Sequence, residues 1–169
     1  MNIAGTGHRH QDLWGYEGYP DSIWTLRRPK TWGSLYHELY VRTHRYIVEH
    51  KASAVISGMA LGFDTILAAA ALAEKIPLWA YIPCPEQDSR WSTGCREIYA
   101  TLLEKAALIR TCSKSYSAAA MQLRNERMVD DCDLVLACWN GKTSGGTWNC
   151  IRYAKKKEVK IHNILKAKI

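Results

Sequence analysis

Short apolar runs alternate along this chain with stretches whose apolar residues recur every three or four positions, and this alternation predicts strands and helices in turn. Leu134 to Ala137 is a continuous apolar run, as expected for a strand buried on both faces. A glycine-rich turn follows it and leads into a helix that starts near Gly145 and reaches Lys157. The same strand, glycine turn and helix recur upstream. A brief strand from Asn2 breaks at Gly5-Thr6-Gly7, and a second strand, Ala52 to Ser57, runs through Gly58-Met59-Ala60-Leu61-Gly62 into an alanine-rich helix, Asp64 to Lys75. Pro77 to Ile82 is a third strand, closed by Pro83-Cys84-Pro85, whose prolines fix an extended exit. Helical spacing also marks residues 33–51, 95–106 and 117–130, and short strands are predicted at 107–110 and 159–164. Alternating β and α with short connections implies an α/β fold, a mostly parallel sheet with helices on both faces. At 169 residues the chain suffices for one domain and is short for two, so a single three-layer domain over residues 1–169 is expected.

The glycine turns supply the candidate chemistry. Ligands of open α/β sheets lie outside the carboxyl ends of the strands, which places Thr6, His8 and Arg9 on the ligand side if the first strand is central. Gly145 and Gly146 lack a Cβ, so a phosphate or ribose can approach the backbone there, while the first amides of the following helix carry partial positive charge. Thr147 adds a hydroxyl. The competing reading is that these glycines only tighten a strand-to-helix turn. Asp64 likewise has two readings, as a carboxylate that complements a helix start or as an acceptor for ribose hydroxyls. Residues 10 to 33 form a long insertion holding Trp14, Tyr16, Tyr19, Trp24 and Trp32, either a lid over a planar base or a satellite core.

Charge and composition narrow the partner classes. A net charge of +7 favours an anionic partner, yet much of the excess sits in Lys155-Lys156-Lys157, Lys160, Lys166 and Lys168, where a solvated helix end accounts for it. No basic run is interleaved with aromatics, which argues against nucleic acid. No apolar run approaches the length of a membrane span, and the first residues lack the regions of a signal peptide, so no membrane association and a cytoplasmic location are expected. The six cysteines contain no Cys-x-x-Cys pair and read as reduced packing residues. His37, His44 and His50 have no partners in a ligand pattern, and no metal site is indicated.

The residues Thr6-Gly7-His8-Arg9, Ser57 to Asp64, Ile82 to Gln87 with Trp91, Asn125 to Met128 with Asp133, and Ser144-Gly145-Gly146-Thr147 together resemble the SLOG superfamily, within it the YpsA-like branch of bacteria and their phages. The resemblance covers nearly the whole chain. It implies a Rossmann-like sheet that binds a nucleotide or nucleotide-derived ligand, with no settled activity and with dimerisation through helices common among related folds. The ligand-binding residues then expected are Gly5, Thr6, Gly7, His8, Arg9, Ser57, Gly58, Met59, Gly62, Asp64, Pro83, Arg124, Asn125, Trp139, Ser144, Gly145, Gly146, Thr147 and Asn149.

Met121 to Met128 followed by Ser-Gly-Gly-Thr is also similar to LOG-type phosphoribohydrolases, which release a base from a nucleoside monophosphate. In that family an arginine matching Arg124 helps hold or polarise the substrate, and a Gly-Gly-x-Gly-Thr-x-x-Glu motif supplies the catalytic carboxylate. Here the loop is one residue shorter and, reading from Thr147, Asn149 takes the glutamate position, and asparagine can neither take a proton from water nor balance an oxocarbenium-like charge. The expected function is therefore a sensor, carrier or sequestering protein for a phosphorylated, nucleotide-derived small molecule, as a homodimer or higher homo-oligomer. The alternative is a nucleotide N-glycosidase in which Asp64 replaces the glutamate and Arg124 positions the substrate. A nucleic-acid-binding protein, suggested by distant similarity to DNA-processing protein A, ranks below both.

Overall fold

The computed structural model describes residues 1–9 and 28–165, with the side chains of 28–35 left aside. Residues 10–27 of the aromatic insertion, together with Lys166 and Lys168, lie outside the described residues, whereas its last part, 28–33, is helical and extends the helix expected from residue 33 toward the N-terminus. In chain order the elements are β1 (Asn2–Gly7), α1 (Arg28–Glu49), β2 (Ala54–Ser57), α2 (Phe63–Ala73), β3 (Leu78–Ile82), α3 (Thr93–Glu104), β4 (Leu108–Thr111), α4 (Ala118–Asp130), β5 (Leu134–Cys138), α5 (Gly145–Lys156) and β6 (Lys160–Asn163). The six strands form one parallel sheet in the order β4-β3-β2-β1-β5-β6. This is the Rossmann-like, three-layer architecture that the alternating pattern predicts.

Helices cover both faces because each central strand is apolar on both sides. β5 is buried at every position, and β1 at its four inner ones. On one face Ile3, Val55 and Leu136 meet Leu39 and Ile47 of α1, Ile66 and Leu67 of α2, and Tyr99 and Leu102 of α3. On the other, Ala4, Ile56 and Tyr81 meet Met128 of α4, and Val135 meets Cys150 and Ala154 of α5. Each such aliphatic side chain contributes about 1.5–3 kcal/mol on full burial. Among the described residues no helix is long and apolar enough to cross a membrane.

The strand order fixes where a ligand can sit. Connections run one way from β1 through β2 and β3 to β4, and then return past β1 to β5 and β6, so the order reverses between β1 and β5. Loops leaving the carboxyl ends of those two strands diverge to opposite faces and leave a crevice between them. Ala4 pairs with Val135, Thr6 with Ala137 and Gly7 with Cys138, which brings residues 6–9 level with the chain leaving Cys138.

One glycine turn is not a turn. Gly5, Thr6 and Gly7 belong to β1 itself, where a break was expected. A Cβ on Gly5 would collide with Leu67, and one on Gly7 with the Phe63 ring. These glycines let α2 lie close on the strand, a tertiary requirement that no local pattern reveals.

Candidate functional site: a cleft at the β1–β5 crevice

A cavity of about 400 Å³ opens where the strand order reverses. It is lined by Gly5 to Arg9 from the end of β1, Ala60, Leu61 and Asp64 from the β2–α2 turn, Tyr116, Met121, Arg124 and Asn125 from the start of α4, and Lys142 and Ser144 to Thr147 from the β5–α5 turn. Twelve of the residues expected from sequence are therefore brought together: Gly5, Thr6, Gly7, His8, Arg9, Asp64, Arg124, Asn125, Ser144, Gly145, Gly146 and Thr147.

The start of α5 forms one wall. Ser117 and Ser92 cap α4 and α3 by accepting hydrogen bonds from Ala120 N (3.0 Å) and Cys95 N (3.5 Å). Ser144, at the corresponding place before α5, makes no side-chain cap bond. Gly145 has φ +84°, a left-handed conformation that favours glycine, and a Cβ on either Gly145 or Gly146 would meet nothing within 4 Å. Here the glycines face open space, and the helix presents its first amides to the cavity. Asn125 Nδ2 donates to the Gly146 carbonyl at 3.3 Å, which fixes this wall to α4.

The β2–α2 turn has a different job. Ser57 Oγ donates to the Asp64 carbonyl (2.9 Å) and accepts from Met59 N (3.1 Å), while Met59 is buried at φ +56°. Gln87 Nε2 donates to the carbonyls of Gly58 (3.2 Å) and Met59 (2.8 Å), and Arg124 Nη1 donates to Gly58 as well. A Cβ on Gly58 would run into the Arg124 guanidinium, and one on Gly62 would lie 2.8 Å from Arg9 Cα. Ser57, Gly58, Met59 and Gly62 thus build an internal scaffold that seats Arg124 and the end of β1, and none of them lines the cavity.

Asp64 and Arg124 form a buried pair in the cavity wall. Arg124 Nη1 lies 3.5 Å from Asp64 Oδ2, and Ala60 N donates to the same oxygen at 3.3 Å. Two effects oppose each other at this carboxyl. Burial raises its pKa, whereas the Arg124 charge and the Ala60 amide lower it, and burial prevails, pushing it up to about 6. Arg124 Nε is buried and makes no hydrogen bond. A buried guanidinium nitrogen without a partner is costly, so a ligand oxygen reaching it would relieve that cost.

Three expected ligand residues have other places. Pro83 is buried and lines no part of the cleft. Trp139 organises the β5–α5 turn: its backbone N donates to Asn163 Oδ1 (3.1 Å), its carbonyl accepts from Asn163 Nδ2 (2.8 Å), and its indole Nε1 donates to the Lys142 carbonyl (2.8 Å). Its ring stacks on Trp148, with centroids 5.6 Å apart. Asn149 also lies outside the cavity lining, so the place of the hydrolase glutamate is not on this wall. Asp133, part of the family-like pattern, accepts from Asn2 N at 2.7 Å and anchors the start of β1.

Sequence reasoning missed Ala60, Leu61, Tyr116, Met121 and Lys142 as lining residues. Tyr116 carried a usable signal: it is a large aromatic in a polar link after β4, and it is 70% exposed. A second compartment of about 660 Å³ adjoins the first, sharing Arg9, Ala60, Leu61, Tyr116, Met121 and Arg124 and adding Glu86, Gln87, Ser89, Arg90, Trp91, Ser92 and Cys95. Arg9, Arg90, Arg124 and Lys142, far apart in sequence, thus lie around one continuous cleft with Trp91 and Tyr116.

No family model matches the chain. Over 86 residues it is 35% identical to the uncharacterized SPbeta prophage-derived protein YoqJ of Bacillus subtilis strain 168, a match covering 44% of this chain and 50% of that protein. The chain thus spans about half the length of the curated relative it matches. Its fold is similar to that of DNA processing protein A from Helicobacter pylori, which binds single-stranded DNA, with TM-score 0.64 and 18% identity over 95% of this chain and 63% of that one. It is similar too to DNA processing protein A from Streptococcus pneumoniae, with TM-score 0.63 and 15% identity over 95% of this chain and 48% of that one. These likenesses support the Rossmann-like fold. They also correct the expectation that a phosphorylated small molecule, and not nucleic acid, is the partner, because a protein of the same fold binds single-stranded DNA. The absence of a basic run interleaved with aromatics is no argument against such a partner, since tertiary structure can gather cations and rings from distant segments, as it does around this cleft.

Proposed function

We propose that the cleft binds the sugar–phosphate of nucleotides carried in a single strand of nucleic acid, and that the chain is a SLOG-type binding protein. The observation that carries this reading is the open start of α5, where Gly145 and Gly146 leave room for a phosphate across the cavity from Arg9 and Arg124. Arg124 adds a buried, unpartnered donor nitrogen, and Lys142 adds charge at the rim. The SLOG-like motifs and the fold shared with a single-stranded-DNA-binding protein favour the same reading. Binding needs no group that the cleft lacks.

Calorimetric titration with a single-stranded oligonucleotide tests it. Each phosphate neutralised should lower log K by roughly 0.7 for each unit of log salt. The variant Gly146→Val should stay folded, because its Cβ meets nothing within 4 Å, and should lose about tenfold or more in affinity. An affinity flat across salt, or unchanged in a folded Gly146→Val, refutes the phosphate site.

A second reading rests on Asp64, a cavity-lining carboxyl that burial holds at about 6, within the range of a general acid. In that reading the chain cleaves the N-glycosidic bond of a nucleotide. Base release followed by chromatography, reduced about 100-fold in Asp64→Asn, would support it. No release by the wild-type protein eliminates it.

A further inference from the structure

The second compartment has no role in anchoring a phosphate at α5. At about 660 Å³ it falls by itself within the range of a complete small-molecule site, more than the base of one nucleotide anchored next door requires. Its wall carries an anchored aromatic: Trp91 is half-buried and meets Tyr99 edge-on at 5.3 Å, 78° between planes, and Tyr99 is itself buried. A ring pinned in this way is a stacking surface that costs little to order. Tyr116 stands at the boundary of the two compartments, 70% exposed. Exposing a large aromatic ring there gains nothing for the fold. Arg9 and Arg124, the two cations of the shared wall, lie where a linkage between two occupants would pass, and Arg124 Nε is buried without a partner.

We propose, resting on the nucleotide-binding reading above, that the cleft holds two consecutive nucleosides joined by a phosphodiester. One unit has its phosphate at Gly145–Gly146. The base of the other stacks on Trp91 and Tyr116 in the second compartment, and the linking phosphodiester lies against Arg9 and Arg124. Recognition by stacking accepts any base, so selectivity is for the dinucleotide step and not for its sequence.

Calorimetry with thymidine monophosphate, the phosphorylated thymidine dinucleotide and a longer thymidine strand tests this. The dinucleotide should bind about tenfold tighter than the mononucleotide, the scale of one stacked base. Trp91→Ala should abolish that gain while leaving mononucleotide affinity unchanged. Ser89→Trp, which fills the second compartment from an exposed rim position, should do the same and guards against a folding defect in Trp91→Ala. Equal affinity of the two ligands for the wild-type protein, or variants that weaken both ligands alike, overturns the two-unit cleft while leaving the phosphate site standing. If neither ligand binds, the parent reading and this one fall together. A longer strand that binds tighter than the dinucleotide identifies a polynucleotide as the source of the step, and equal affinity identifies a free dinucleotide.

Discussion

Replacing Asp64 by asparagine decides which force governs the buried pair at the cleft. Asp64 is 5% exposed, and its carboxyl rises from 3.8 to about 6, although Arg124 stands 3.5 Å away. Because the folded carboxyl holds its proton to higher pH than the unfolded one, folding takes up a proton between about pH 4 and pH 6. The stability that Asp64 contributes is thus present in full below about pH 4 and is lost as pH rises through about 6. At about 1.4 kcal/mol for each pH unit of that displacement, the loss is roughly 3 kcal/mol. Asparagine has no proton to lose. The stability of Asp64→Asn relative to wild type should therefore improve by roughly 3 kcal/mol between about pH 4 and pH 7. Urea unfolding followed by tryptophan fluorescence across that range measures the difference at each pH. A difference that is constant with pH would mean that attraction to Arg124 cancels desolvation and leaves the carboxyl at its ordinary value, and one that moves the other way would mean that the attraction outweighs desolvation. The same experiment bears on chemistry, since a carboxyl at about 6 keeps roughly a tenth of its protons at neutral pH and can donate one.

Three further outcomes follow from the same geometry. Gly58→Ala puts a Cβ where the Arg124 guanidinium sits, so it should cost about 1–3 kcal/mol by urea unfolding and weaken oligonucleotide binding; an unperturbed affinity would show that Arg124 does not touch the ligand. Gly5→Ala drives a methyl into Leu67 inside the sheet–helix interface and should cost about 1–3 kcal/mol, while a neutral result would mean that α2 is free to shift from β1. Asn149→Glu should release no base from a nucleoside monophosphate by chromatography, because position 149 is outside the cavity lining; measurable release would put the hydrolase reading ahead of the binding one.

Sequence alone determined the order of elements, since period is a local property. The apolar run from Leu134 and the helical spacing after it needed no tertiary information, and the helix expected over 117–130 is present as Ala118–Asp130. The open cleft wall at Gly145–Gly146 was legible for the same reason: a left-handed residue and an open helix start are written in a few consecutive residues. Tertiary structure alone decided which glycines leave open space at the cleft and which make room for another side chain. Gly5 and Gly7 read like a ligand loop, yet they make room for Leu67 and Phe63, residues about sixty positions away in the chain. Gly58 likewise exists for Arg124, which arrives from α4. The partner class was misread on the same ground. Charge and aromatic patterns were sought along the chain, whereas Arg9, Arg90, Trp91, Tyr116, Arg124 and Lys142 meet only because a parallel sheet delivers the carboxyl ends of all its strands to one edge.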